Sequence, residues 1–105
     1  MKIQFNTDKN IEGNDRQSSY FGEMISHGLD RFSNQITRLE VHLSDENSDK
    51  SGPDDHRCLI EARLEGIQPV SVTHFADTLE HAVKGATDKM KSTLTTIVGR
   101  IQEKR

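Results

Sequence analysis

Leu79, Val83, Ala86, Met90, Leu94, Ile97 and Ile101 follow one another at spacings of 4, 3, 4, 4, 3 and 4. This is the apolar stripe of a single amphipathic helix of about six turns. Such a helix must lay its stripe on another apolar surface, which the rest of the chain has to supply. Asp77 with Glu80 three residues later predicts a capping box at its start, each side chain bonding an otherwise unpaired amide of the first turn.

The covering surface reads as a sheet. Met1, Ile3 and Phe5 alternate with Lys2 and Gln4, the period-two pattern of a strand with one buried face. Leu39, Val41 and Leu43 alternate in the same way with Arg38, Glu40 and His42. Cys58, Ile60, Ala62 and Leu64 alternate with Arg57, Glu61 and Arg63. After the turn Gly66-Ile67-Gln68-Pro69, Val70 and Val72 start a fourth strand that ends near His74. The last three strands follow one another through hairpin-length connections, which implies an antiparallel meander. Between the first and second strands, Phe21, Met24, Ile25, Gly28, Leu29, Phe32 and Ile36 recur at spacings of three and four and predict a helix from about Asp15 to Ser33. Gly22 and Gly28 each weaken it by roughly 1 kcal/mol relative to alanine, so packing must hold it, and such small residues allow a neighbouring element to approach closely. The expected architecture is an α+β two-layer sandwich, β-α-β-β-β-α, with two helices covering one face of a four-stranded sheet. Ile60 and Val83 are expected to be fully buried where the two layers meet.

A chain of 105 residues has room for one domain, spanning 1–105, at roughly 100 to 200 residues per domain. Leu, Ile, Val and Phe make up 24 residues, just above the roughly 20% below which chains stay disordered. No apolar run approaches the ~18 to 20 residues that cross a bilayer, so no membrane partner is expected. The segment Met1 to Asn6 lacks the features of a signal peptide, and a single cysteine, Cys58, forms no internal disulfide. Both point to the cytoplasm. The segment 44–56 carries five acids against one base and is rich in Ser, Asp, Gly and Pro, which predicts a flexible acidic loop. From Asp77 to the end the balance reverses to six bases against four acids.

Candidate chemistry is sparse. His56 and Cys58 put a nitrogen and a sulfur close in sequence, yet no second ligand pair accompanies them, and Cys58 belongs to the buried face of its strand. Neither a metal site nor any other cofactor is expected. No nucleophile elbow or phosphate loop is present, a buried thiol is a poor nucleophile, and Asp54-Asp55-His56 sits in a loop where preorganisation is hard. The expectation is a non-enzymatic protein. What remains is the polar side of the last helix, with Lys84, Lys89, Lys91, Arg100 and Lys104. These cations read either as a solvated face complementing the helix dipole or as a phosphate-binding stripe for RNA.

In order and motif the chain resembles the ribosome hibernation-promoting factors, which include the ribosome-associated inhibitor and the sigma-54 modulation proteins. The resemblance rests on Met1-Lys2-Ile3-Gln4-Phe5, on Leu29 and Ile36 leading into Leu39-Glu40-Val41-His42-Leu43, and on Ile60-Glu61-Ala62-Arg63-Leu64. It continues through Asp77-Thr78-Leu79-Glu80-His81-Ala82-Val83, Lys89 and Leu94. It implies the same sandwich and a stress-induced protein that binds small-subunit ribosomal RNA between head and body, where it blocks messenger and transfer RNA. Lys89 and Arg100 coincide with basic positions of that family's last helix, supplemented by Lys84, Lys91, Lys104 and Arg105. Ser19, Ile25, Gly28, Ser92, Thr96 and Val98 stand where the family tends to be basic, and Glu80 where it usually has an aromatic residue. With roughly half the phosphate contacts missing, binding is expected to be weak or salt-sensitive. The chain ends after the second helix, as in the short form without a dimerising domain. DNA is not an expected partner. The alternative is a divergent member that has lost ribosome binding and docks a protein partner on the open sheet face through Arg38, Glu40, His42, Arg57 and Arg63, unless those charges are only a cross-strand ladder of opposite signs.

Overall fold

A computed structural model of the chain describes residues 2–8, 15–45 and 55–103, with side chains through Arg100. The elements in chain order are β1 (Lys2–Thr7), α1 (Asp15–Gly28), a 3-10 turn (Asp30–Phe32), β2 (Ile36–Asp45), β3 (His56–Leu64), β4 (Val70–Ala76) and α2 (Leu79–Glu103). They form the expected α+β sandwich. The sheet runs β1-β2-β3-β4, with β2, β3 and β4 an antiparallel meander and β1 parallel to β2. A parallel pair needs a crossover, and α1 provides it.

Alternation decides which face is covered. Leu39, Val41 and Leu43 of β2 pair with Ala62, Ile60 and Cys58 of β3, and all six are buried. Phe21, Ile25 and Leu29 from the α1 region and Ala82, Val83, Ala86, Met90 and Leu94 from α2 complete the same core. Ile60 and Val83 are both 0% exposed, as their positions on the strand face and the helix stripe require. Thr87 joins the buried side of α2 because its hydroxyl donates to the Val83 carbonyl at 2.7 Å.

Three sequence expectations change. The first concerns α1, which ends at Gly28 rather than Ser33: Leu29, at φ −110° and ψ 15°, leaves the helix, and the chain passes through the 3-10 turn. Leu29 and Phe32 stay on the core side because a 3-10 turn also returns after three residues. Ile36 opens β2 instead of closing the helix. It and Leu39 both face inward although three residues apart, since the register shifts between Ile36 and Arg38. Thr37 stands in that irregularity and donates its hydroxyl to the Arg63 carbonyl at 3.0 Å.

The second change is at the start of α2. No Asp77–Glu80 box forms. The helix begins at Leu79, so Thr78 is the residue whose hydroxyl accepts the His81 amide, at 3.1 Å. Asp77 instead accepts the His81 ring nitrogen at 2.6 Å, and Glu80 turns toward α1. The third is the acidic segment, which is shorter than 44–56: Ser44 and Asp45 belong to β2, His56 to β3, and Asp55 is buried. Its remainder, 46–54, lies outside the described residues.

The helices approach closely at two glycines. A Cβ on Gly28 would overlap the Thr87 methyl, and one on Gly85 would overlap the His74 ring. Alanine normally favours a helix by about 1 kcal/mol over glycine, but here packing opposes it. Gly28→Ala should lower stability by about 1–3 kcal/mol, because Thr87 is buried and its branched side chain has little rotamer freedom. Adding Thr87→Ser, which removes the methyl, should restore most of the loss. Urea denaturation of the single and double variants checks this, and strictly additive effects would show that the contact is slack. In the core, Ile60→Ala should cost about 2–5 kcal/mol in the same assay.

Candidate nucleic-acid interface

Helical geometry sorts the cations of α2. Lys84 and Lys91 are seven residues apart and Lys89 and Arg100 eleven apart, so each pair falls within about 20° of one line along the helix, while the pairs lie about 160° from each other. All four are exposed, but they occupy opposite flanks rather than one stripe. Lys84 and Lys91 share the flank of Glu80, whose carboxylate accepts the Tyr20 hydroxyl of α1 at 2.7 Å. This bond holds the Tyr20 phenol above its ordinary pKa, with the Glu80 charge adding to the effect. Lys89 is on the other flank and donates to the Thr73 carbonyl of β4 at 2.9 Å, so it is tied to an edge strand. Lys104 and Arg105 lie outside the described residues.

Two positions of α1 that read as missing cations are not surface positions. Ile25 is 0% exposed, and Gly28 abuts Thr87, so neither has room for a lysine. Thr93, Thr95 and Thr96 return their hydroxyl protons to the carbonyls of Lys89, Lys91 and Ser92, four residues back. Those donors are engaged within the helix. Among the described side chains of α1, the 3-10 turn and α2, six exposed cations stand against five exposed carboxylates. The helical layer is close to neutral, and its positive sites are local.

The other side of the sheet is uncovered and more positive. Register aligns Lys2 of β1 with Arg38 of β2, and Arg38 with Arg63 of β3; in the next row Glu40 lies opposite Glu61. The expected ladder of opposite signs is therefore corrected: residues directly across from each other carry like charges. Attraction runs diagonally and along the strands, with Glu40 3.4 Å from both Arg38 and Arg63, and Arg63 3.4 Å from Glu61. Partial burial pushes the Glu40 carboxyl up, but its hydrogen bond with Glu61 and the charges of Arg38 and Arg63 outweigh this and hold it below the usual carboxylate range.

Catalytic and metal chemistry find little here. Cys58 is fully buried, and burial pushes its thiol up to about 12. Ligand-type atoms of Asp45, Asp55 and His56 come within 4.8 Å of one another, and Cys58 is not in that group. His56 Nδ1 lies 2.9 Å from a carboxylate oxygen of the buried Asp55. The sequence placed Asp55 in a loop, so this pairing was not legible before the strands were seen to extend to it.

A family model described as Sigma 54 modulation protein / S30EA ribosomal protein matches residues 5–102. Among solved structures, the Protein Y N-terminal domain of Thermus thermophilus is similar, with a TM-score of 0.74 and 23% identity over 92% of this chain and 99% of that one. A ribosomal subunit interface protein from Coxiella burnetii is also similar, with a TM-score of 0.64 and 15% identity over 94% of this chain and 99% of that one. No curated protein sequence matches the chain.

The acid pair on the open face has a pH signature. A carboxyl whose folded pKa lies below its unfolded value, about 4.3 for glutamate, contributes stability that is present above that value and lost as pH falls through the folded pKa. Thermal unfolding measured from pH 6 to pH 3 should therefore show a shallower acid decline in Glu40→Gln than in the wild type. Parallel curves would mean that the Arg38–Glu40–Arg63 contacts do not act in solution.

Proposed function

Because the chain belongs to the Sigma 54 modulation protein / S30EA ribosomal protein family, we propose that it is a ribosome-associated hibernation factor that binds small-subunit ribosomal RNA and restrains translation under stress. The observation that carries this reading is the family match over nearly the whole chain. A similar fold in a protein described as a ribosomal subunit interface protein supports it. The protein works as a binding module rather than an enzyme, in the cytoplasm, without a cofactor. No described helix is long and apolar enough to cross a membrane, which agrees with a ribosomal partner.

The contacts proposed on the helical side are Lys89 and Arg100 on one flank of α2, with Lys84 and Lys91 on the other and Lys104 beyond. Two flanks about 160° apart can reach two phosphate tracks, as shape-based recognition of folded RNA requires. Few cations also mean a weak complex. Each phosphate contact releases close to one counterion, so affinity falls with salt in proportion to the number of contacts.

Cosedimentation with purified small subunits tests this. Wild type should pellet at about 50 mM salt and remain largely in the supernatant at about 200 mM. Lys89→Glu with Arg100→Glu should abolish pelleting at low salt while circular dichroism stays unchanged, since exposed charges contribute little to stability. Wild type that fails to pellet even at low salt would overturn the ribosomal reading.

A further inference from the structure

We infer that the open face of the sheet is a second RNA-binding surface, seating phosphates of a single-stranded segment on the Lys2–Arg38–Arg63 row and stacking a base on Phe75. This rests on the reading of the chain as a ribosomal RNA-binding protein, and it concerns the side of the sheet away from α1 and α2.

Charge comes first. The open face carries Lys2, Arg38, Arg57 and Arg63 against only Glu40 and Glu61, whereas the helical layer is nearly balanced. The most positive continuous surface among the described residues is therefore the sheet. Register then concentrates that charge: Lys2, Arg38 and Arg63 stand side by side on three adjacent strands, about 4.8 Å apart. Aligned like charges oppose folding unless counter-charge lies nearby. Glu40 and Glu61 in the next row provide it for two of the three.

The row still has more donors than acceptors. Arg63 meets the two carboxylates through its Nε, 3.4 Å from each, and its side chain is 47% exposed. The Arg38 side chain is 38% exposed and Lys2 is exposed, so the row is open to solvent. Three cations stand against two carboxylates, and a phosphodiester brings further oxygens that an exposed arginine fork binds in planar geometry.

Phe75 selects the kind of polyanion. It is 47% exposed on β4, directly across from Arg57, and lies three rows from Arg63. Arg63 and Arg57 are six positions apart on β3, about 20 Å, enough for a short extended strand of nucleotides. An exposed ring on a sheet beside cations is a platform for an unpaired base, whose face a duplex would hide. An acidic peptide would satisfy the arginines but leave the ring uncovered. Because α2 projects from the opposite side, the domain would lie between two RNA segments.

The test uses two sheet variants and the α2 variant. Lys2→Gln with Phe75→Ser touches neither glutamate, so it leaves the ion pairs in place; Arg38→Gln with Arg63→Gln removes the row. Binding is read by cosedimentation with small subunits at stepped salt, and by anisotropy of a fluorescent 12-residue oligouridylate. Lys2→Gln with Phe75→Ser should weaken both by about tenfold or more, the size of one stacked base and one phosphate contact, and reduce the salt slope by about 0.7. The variant must retain the wild-type circular dichroism. Wild-type affinity in both sheet variants, with loss only in Lys89→Glu/Arg100→Glu, would overturn the proposal and leave the ribosomal reading standing. If wild type fails to bind small subunits, that reading falls, and the oligonucleotide decides the sheet alone: binding that the sheet variants lose supports it, and no binding overturns it. Polyglutamate captured in place of RNA, with the same variant dependence, would also overturn it.

Discussion

The fit of α2 against the sheet is the contact on which the rest of the molecule depends. Its buried side shares one core with Ile60, Ala62 and their neighbours, and α1, which adds Phe21 and Ile25 to that core, passes Thr87 closely at Gly28. Interiors are packed as densely as organic crystals, so a single methyl at that crossing is felt. The two helices must share one sheet face, and their separation is set by a glycine. This leaves the opposite face bare and divides the surface into two sides of different character.

Those two sides carry charge in different ways. On the helical side the cations are spread around α2 and are offset by nearby carboxylates, while the threonines bond back into the helix. On the sheet side, strand register forces like charges into line, and contacts of Glu40 with Arg38 along the strand and with Arg63 diagonally make that arrangement tolerable. Exposed charges of either kind interact less strongly as ionic strength rises. The edges are handled separately, with Lys89 bonded to a carbonyl of β4. Occupying a carbonyl of an edge strand also discourages unwanted strand addition.

Much of this was legible in the residues themselves. The order of elements, the meander, the apolar stripe of α2 and the burial of Ile60 and Val83 follow from periods of two and of about 3.6, because those periods are properties of local backbone geometry. The family resemblance rested on the same order of segments and agrees with the match over residues 5–102. The errors fell at boundaries. Leu29, Phe32 and Ile36 fit a helical period, but a 3-10 turn followed by a shifted strand register places the same three residues inward.

Which residues would touch a partner was decided by tertiary structure. The sequence determined that Lys84, Lys89, Lys91 and Arg100 lie off the buried stripe of α2; only the fold turned one flank toward Tyr20 and the other toward β4. It likewise determined that Arg38, Glu40, Glu61 and Arg63 face away from the core. Only the pairing register set Arg38 beside Arg63 and Lys2 beside Arg38, because a strand's alternation chooses a face but not the neighbours it meets across the sheet.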